Sequence, residues 1–436
     1  MRKPKRLFYL ESLGCAKNQV ESERLLTFLE RYGLQSTSSP CDAELIIVNS
    51  CGFIKSACEE SIELSLNLKR EFPQKKIILT GCLALRYGER LKEAMPELTV
   101  IDARFSEPLF KHVLLKALGL REGTFQLDFN RTHLLSYAGS AYVKIADGCN
   151  NCCSYCTIPK IRGPLQSRPQ AEILSEVKDL LKRGIKEIVL ISQDTASYGL
   201  DRGCSELQEL LLKLASLSGN FWIRLLYLHP DRIDQGIIQT ICSSEKIIPY
   251  FDLPFQHASH SILTAMNRTG KAKDYLELVS YIRRLRPEAI IRTTLMLGFP
   301  GETEEDFRQL LFFQQKLKPN WAGFFIYSNE EGTPASRLKP KVPKYVALKR
   351  LKLIQERQVQ ITSAWLDSLL GQRLEILLEE EIKEEGLSLG RAFFQAPDVD
   401  SVVVITNPCR QPGSLIRASL TKRIDFDLEA SCEKLG

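Results

Sequence analysis

Four cysteines fall within eight residues of the stretch DGCNNCCSYCTIPKIRG (147–163): Cys149, Cys152, Cys153 and Cys156. Read as two CxxC pairs, Cys149/Cys152 and Cys153/Cys156, they abut, whereas a tetrahedral zinc site separates its pairs by roughly a dozen residues so that both face one ion. The zinc reading is therefore poor. The grouping Cys149-x3-Cys153-x2-Cys156 leaves Cys152 out and supplies three thiolates from one loop. A [4Fe–4S] cubane held by three thiolates keeps one iron without a protein ligand, and an open iron can bind a substrate or cofactor. A register that starts at Cys152 needs a thiol at position 159, where Pro159 stands.

A second set is dispersed. FYLESLGC, ELIIVNSC and KKIILTGC each end an apolar run in a small residue and then a cysteine, at Cys15, Cys51 and Cys82. If the three runs are parallel neighbours, all three thiols emerge at the C-terminal edge of one sheet, where open α/β sheets bind ligands. The chain has 13 cysteines. An odd number, spread over a long chain without a signal-peptide core, argues against a disulfide framework and leaves metal ligation as the common use. Cys41, Cys58, Cys204, Cys242, Cys409 and Cys432 lack such a context and are read as bystanders, and His112 and His133 carry no signal.

The elements that position these residues follow from pattern. A chain of 436 residues is too long for one core and suggests roughly three domains. Residues 1–125 read as an open parallel α/β domain, followed by a polar linker, REGTFQLDFNRTHLLSYAG. Residues 135–368 carry six apolar runs, AYVKIA, EIVLIS, WIRLLYL, IIPYFDL, IIRTTLML and WAGFFIY, each followed by a helical pattern. Such alternation predicts a parallel sheet, here a partial (β/α)6 TIM-like barrel with its chemistry at the C-terminal strand ends. DGC, QDTASYG, HP, PFQHAS, GFPGET and SNEEGTPA stand there, with Thr303 as the N-cap of the helix after the fifth strand. A helical segment over about 344–370 leads to residues 371–436, whose short apolar runs between Gly, Pro and Asn predict a small antiparallel β-barrel.

The N-terminus, MRKPKRLFYLESLGC, has too few apolar residues for a signal peptide, and no run approaches the roughly 20 of a membrane span. The expectation is a cytoplasmic protein. Net charge is +6, but residues 371–436 hold 8 Lys/Arg against 12 Asp/Glu, a net −4 that leaves +10 for the rest.

CxxxCxxC at the end of the first strand of a βα barrel resembles the radical S-adenosylmethionine (SAM) superfamily. Two cysteine triads with a terminal barrel are similar, over essentially the whole chain, to its methylthiotransferase family, in which that barrel is the OB-like TRAM domain. The resemblance implies two [4Fe–4S] clusters, one on Cys15, Cys51 and Cys82 and one on Cys149, Cys153 and Cys156. SAM would chelate the open iron of the latter and be cleaved, on reduction, to a radical that abstracts hydrogen from an unactivated carbon. The N-terminal cluster would take part in sulfur delivery, and a low-potential donor such as flavodoxin or ferredoxin would supply electrons. Tyr155, Gln193 and Arg292 are the SAM-side candidates. Cys152 departs from the family pattern, in which that position is often polar or basic, and is open as a substitute ligand or an inert thiol.

Two branches differ in substrate: an adenosine of tRNA, or the β-carbon of an aspartate in ribosomal protein S12. SLGCAKNQVESERLL, Asp194 in QDTASYG and His257 in PFQHAS resemble the second. Charge agrees, because a barrel that grips RNA should be basic, whereas an acidic one complements a basic ribosomal protein and predicts no direct nucleic-acid binding. Glu330 and Glu331, with Asp194 and His257, are the substrate-side candidates. His229 and His257 fit either a pocket role or a structural one, and Arg292 either the SAM carboxylate or an ion pair. Lys160, Arg162 and Arg168 fit a nucleic-acid patch, a solvated face or an internal ion-pair set. A non-catalytic iron–sulfur or zinc-binding adaptor is the alternative of another class.

Overall fold

The computed structural model describes residues 6–121, 123–124, 129–407 and 410–432. Cys409 and part of the expected linker lie outside them. The first unit is a parallel sheet in the order β2-β1-β3-β4-β5, with β1 Leu7–Ser12, β2 Gln35–Ser36, β3 Leu45–Ser50, β4 Lys76–Gly81 and β5 Thr99–Val100. Helices α1 (Ala16–Arg31), α2 (Lys55–Glu71), α3 (Cys82–Ala94) and α4 (Pro108–Leu118) connect and cover it. Strand β3, LIIVNS, is buried throughout, as a parallel strand covered on both faces must be. Ser12 pairs with Asn49, and Asn49 with Thr80, so β1, β3 and β4 end level.

The central unit holds, among the described residues, six parallel strands in chain order: β6 Ser140–Lys144, β9 Glu187–Ile191, β10 Trp222–Leu225, β11 Tyr250–Asp252, β12 Ile290–Leu297 and β13 Trp321–Ile326. Strands β6, β9 and β10 form one sheet and β11, β12 and β13 another, with a parallel bridge Ile223–Ile247 between them. Each expected run is a strand, shortened where the chain bends into a strand-end loop. A two-residue ribbon, β7 Ala146–Asp147 with β8 Gln166–Ser167, frames the cysteine loop after β6, and α5 (Ile158–Arg162) follows that loop. On β12, Arg292, Thr294 and Met296 are half-buried and their neighbours buried. That alternation puts these three side chains on one face of the strand.

The last unit is a closed five-stranded barrel in the order β14-β15-β16-β18-β17, with β14 Arg373–Ile382, β15 Leu387–Ala392, β16 Val403–Thr406, β17 Leu415–Ile424 and β18 Asp427–Cys432. It seats at the N-terminal ends of the central strands. Tyr142 and Tyr250 donate to Asp398 (2.5 Å) and Asp400 (2.6 Å), and Trp321 Nε1 donates to the Phe394 carbonyl (2.7 Å). Glu187, wholly buried, takes Arg224 Nε at 2.7 Å and Arg391 Nη2 at 2.5 Å. The acidic barrel is thus at the opposite end of the strands from the cysteines. The barrel's net negative charge therefore lies away from the strand ends that carry the cysteines.

Burial by itself would raise the Glu187 carboxyl; Arg391 and Arg224 outweigh it and hold it at about 2, below its ordinary 4.5. The stabilisation is whole above the unfolded value and is lost as pH falls through about 2. Arg391→Met strips Glu379 of its cation and half of Glu187's compensation. It is expected to cost about 3–5 kcal/mol, read as an earlier urea-unfolding midpoint than wild type at pH 7.

Candidate active site between two cysteine triads

The level strand ends bring Cys15, Cys51 and Cys82 to one edge. Cys15 is the N-cap of α1, Cys51 directly follows β3, and Cys82 opens α3. Asn18 organises the group: its Nδ2 donates to the Leu13 and Ser50 carbonyls at 3.0 and 2.9 Å, and its Oδ1 lies 3.5 Å from Cys82 Sγ. Gly14 has φ +94°, and a Cβ there would stand 3.0 Å from Cys51 Cβ and 3.1 Å from its Sγ. Only glycine combines that backbone with so close an approach.

The three thiols differ electrostatically. Burial pushes Cys82 up to about 11 against the pull of Arg162, and it also raises Cys51. For Cys15 burial acts upward too, but Lys17, Arg162 and the backbone N–H groups of Asn18 and Lys17 outweigh it and lower the thiol. Cys15 nonetheless presents exposed surface. It is enclosed by charged groups yet borders open space, and a group of atoms can be seated there.

The second triad is held by its own loop and by three neighbouring elements. Cys149 N donates to the Gly163 carbonyl at 3.1 Å, Asn151 N to Cys149 Sγ at 3.4 Å and Ile158 N to Cys156 Sγ at 3.4 Å. Ser154 bonds the Met266 and Ala265 carbonyls, and Asn151 Nδ2 donates to Asp194 at 2.7 Å. Burial raises Cys149 to about 11 and Cys156 to about 12, and Cys153 pushes both the same way. Thiols held this high are protonated at neutral pH, and a metal ligand must lose that proton on binding. Cys152 is exposed and turned outward, its Sγ 3.7 Å from the Asn150 carbonyl.

Among the described residues no three His, Cys, Asp or Glu side chains converge as ligands of a single ion. Zinc thiolates must approach to roughly 3.8 Å from one another, since each lies about 2.3 Å from one metal. A cubane gives each thiolate a separate iron and accepts wider spacing. Three thiols per set, with no fourth side chain in the sequence motif, match a cubane that keeps one iron open.

The two triads meet across a buried charge network. Glu21 of α1 receives Lys144 Nζ at 2.7 Å and the Arg162 guanidinium. Arg162 also donates to Asn18 Oδ1 at 2.7 Å and to Cys82 Sγ at 3.1 Å. It reaches from the helix after one triad to a thiol of the other. Arg131 links Glu23 of α1 to Glu176, and Arg168 joins Glu176 at 2.7 Å. Arg162 and Arg168 are therefore an internal ion-pair set, and Lys160 bonds the Gly332 carbonyl. The motif SLGCAKNQVESERLL is largely this docking surface, with Asn18, Glu21, Ser22, Glu23 and Arg24 all buried. Four adjacent polar residues buried on one helix were the missed signal, because a surface helix hides one face only.

The remaining candidates divide. Gln193 Nε2 donates to Asp147 at 3.0 Å, while its Oε1 is buried without a partner, an acceptor left for a donor such as an amino group. Tyr155 joins a small apolar cluster with Phe299, Met296 and Tyr327, its ring edge-on to Phe299 at 6.5 Å. Its hydroxyl lies 3.5 Å from Arg268, a buried guanidinium that sequence reading missed. Arg292 is paired with Asp252 at 3.1 Å and Asp400 at 3.5 Å.

The structure gives each of the substrate-side candidates Asp194, His257, Glu330 and Glu331 a partner within the chain. Asp194 is buried and spends its oxygens on Asn151, Ala196, Ser197 and His229, which anchors the cysteine loop. His257 is wholly buried; its Nδ1 accepts from Ser259 N, and burial pulls its pKa down to about 3. His229 is lowered likewise to about 4. Glu330 is an interdomain latch, taking Arg86 at 2.8 Å and Lys55 N at 2.9 Å, and Glu331 pairs with Arg90 at 3.1 Å. The loop after β13 lies against α2 and α3, so its carboxylates meet cations there.

The fold and the two triads define a radical SAM protein with an added cysteine-triad unit and a terminal barrel. Models of three families match: the uncharacterized protein family UPF0004 over residues 7–102, the radical SAM superfamily over 143–313 and the TRAM domain over 370–432. Similar solved structures include the radical SAM methyltransferase TsrM from Kitasatospora setae (TM-score 0.56, 14% identity, 73% of each chain). Another is the cobalamin-dependent radical enzyme OxsB (TM-score 0.53, 11% identity, 82% of this chain and 58% of that one). These share the fold. The ribosomal protein uS12 methylthiotransferase RimO of Treponema denticola is 42% identical over 96% of this chain and 98% of its own. That of Carboxydothermus hydrogenoformans is 41% identical over 97% and 98%. The chain belongs to the RimO family.

Gly14→Ala should crowd Cys51 and strain the loop that bears Cys15. After anaerobic reconstitution its iron content is expected to fall by about half, from about eight to about four atoms per chain, while the circular dichroism spectrum is unchanged.

Proposed function

We propose that this protein is a transferase of sulfur-containing groups that inserts a methylthio group at the β-carbon of an aspartate in ribosomal protein S12. The carrying observation is the pairing of two three-cysteine sets across one buried ion network, in a chain that matches uS12 methylthiotransferases end to end. On this reading residues 1–125 present Cys15, Cys51 and Cys82 to one [4Fe–4S] cluster, and residues 135–368 present Cys149, Cys153 and Cys156 to another that binds SAM. Residues 371–436 form the TRAM barrel. When bound, the clusters and SAM supply the radical, sulfur and methyl group needed to replace hydrogen on a carbon that acid–base side chains cannot activate.

The chain's own residues aim that chemistry. Asp194 and Ser154 fix the loop of the second triad through Asn151, Ala265 and Met266. Gln193 offers an unpaired oxygen and Tyr155 an apolar ring face on the SAM side. Glu330 holds the loop after Cys51 against the mouth, accepting from Lys55 N while Arg86 clasps the Gly52 carbonyl at 2.9 Å. Each contact shortens the search for a reactive geometry. A low-potential donor such as flavodoxin or ferredoxin delivers electrons, and the enzyme works in the cytoplasm. Among the described residues no helix is long and apolar enough to cross a membrane.

Cys153→Ser is expected to abolish reductive SAM cleavage, whereas Cys51→Ser keeps cleavage and loses methylthio transfer; chromatography of 5′-deoxyadenosine beside mass spectrometry of S12 reads both. In a strain lacking the gene, S12 should lose its methylthio group while bulk tRNA keeps its methylthioadenosine. The reverse pattern would make tRNA the substrate.

A further inference from the structure

Most cations that face the space between the triads are matched. Lys144 pairs with Glu21 and Asp147, Arg162 with Glu21, and Arg292 with Asp252 and Asp400. Lys17 is different. Its Nζ lies 3.4 Å from the centroid of the Tyr227 ring, and among the described residues no Asp or Glu forms an ion pair with it. Burial opposes its charge, and the Tyr227 hydroxyl, the neighbouring Cys15 thiol and, from longer range, Asp252 support it.

The placement of the pair is specific. Lys17 stands two residues past Cys15 on α1, and Tyr227 follows β10, so the contact joins the two cysteine-bearing units. Both side chains are half-buried, and Cys15, two residues before Lys17, presents exposed surface. Tyr227 holds φ at +62°, the left-handed region that a residue with a Cβ rarely adopts. Its N–H donates to Asp252 Oδ2 at 2.9 Å and its carbonyl accepts from Thr195 N at 2.9 Å. Strain of this kind persists where the surroundings over-determine a residue, and it gathers at binding sites. The ring takes one face of the ammonium and supports its charge. Of the three ammonium donors, some stay free for an acceptor.

We propose that Lys17 is the counter-ion for a carboxylate on the substrate, namely the side chain of the acidic residue that is modified. This rests on the S12 reading above and deepens it. The carboxyl carbon is bonded to the β-carbon, so a grip on the carboxylate places the reacting carbon within one bond of a fixed point and stops rotation of the side chain. A neutral nucleobase offers Lys17 no charge to pair with. The same ammonium therefore discriminates between the two substrate classes as well as positioning one of them.

The test is a double-mutant cycle on the holoenzyme. Wild-type and Lys17→Gln enzymes are titrated with full-length S12 and with S12 whose target aspartate is changed to asparagine, and affinity is read by fluorescence anisotropy. A charge-assisted contact predicts a loss of about tenfold to a hundredfold for Lys17→Gln on the aspartate form. The asparagine form should bind more weakly to wild type by a similar factor and be insensitive to Lys17→Gln. Lys17→Arg should keep most of the affinity, and iron content verifies that each variant carries both clusters. Equal losses on both forms of S12, or none, would overturn the role of Lys17 and leave the S12 reading intact. Failure of wild-type enzyme to bind either form would overturn the S12 reading itself.

Discussion

One carboxylate sets the geometry between the triads. Glu21 is wholly buried on α1 and receives both Lys144, from the first strand of the central unit, and Arg162, from the helix after the CxxxCxxC loop. A buried charge is tolerated only when it is paired and hydrogen-bonded, and breaking such a pair costs about 3–5 kcal/mol. The two units therefore cannot drift apart without exposing three charges to an apolar interior. Arg162 extends the constraint to chemistry, since the same guanidinium reaches Cys82 Sγ and Asn18.

The opposite end of the central strands is closed by the same means. Arg391 and Arg224 share Glu187, and Tyr142 and Tyr250 reach carboxylates of the terminal barrel. The lumen is thus approached by α1 from one end and by residues 393–400 from the other, with Val20 sharing a buried cluster with Tyr142, Val189 and Phe394. Between these two ends Lys17, Tyr227 and the β12 side chains Arg292, Thr294 and Met296 stay half-buried, and Cys15 stays exposed. Reactive chemistry on an unactivated carbon needs a confined volume, because water and stray side chains are competing hydrogen donors.

Several site features were readable from local pattern. CxxxCxxC is a property of one loop, and Pro159 alone excluded the shifted register. Strand runs that end in a small residue and a cysteine told which edge the dispersed thiols share. The carboxylates were not readable in this way. Glu330, Glu331 and Asp194 look like substrate contacts when only their strand-end positions are known; Glu330 and Asp194 are buried against partners far away in the chain, Arg86 and Asn151, while Glu331 makes an exposed pair with Arg90. His257 stood in a telling motif and proved to be packed out of reach. Tyr227 gave no signal, because a tyrosine in the left-handed region is imposed by its neighbours.

The sequence by itself determined the chemistry on offer and the three kinds of unit that carry it, because thiol spacing, strand alternation and turn residues are local and act through a few bonds. Tertiary structure decided which charges are spent and which remain free. Whether Arg162 grips a nucleic acid or Glu21, and whether Lys17 finds a carboxylate within the chain, depends on groups that only folding brings to within a few ångströms. At those distances, and with water excluded, one ion pair outweighs any preference written in the adjacent residues.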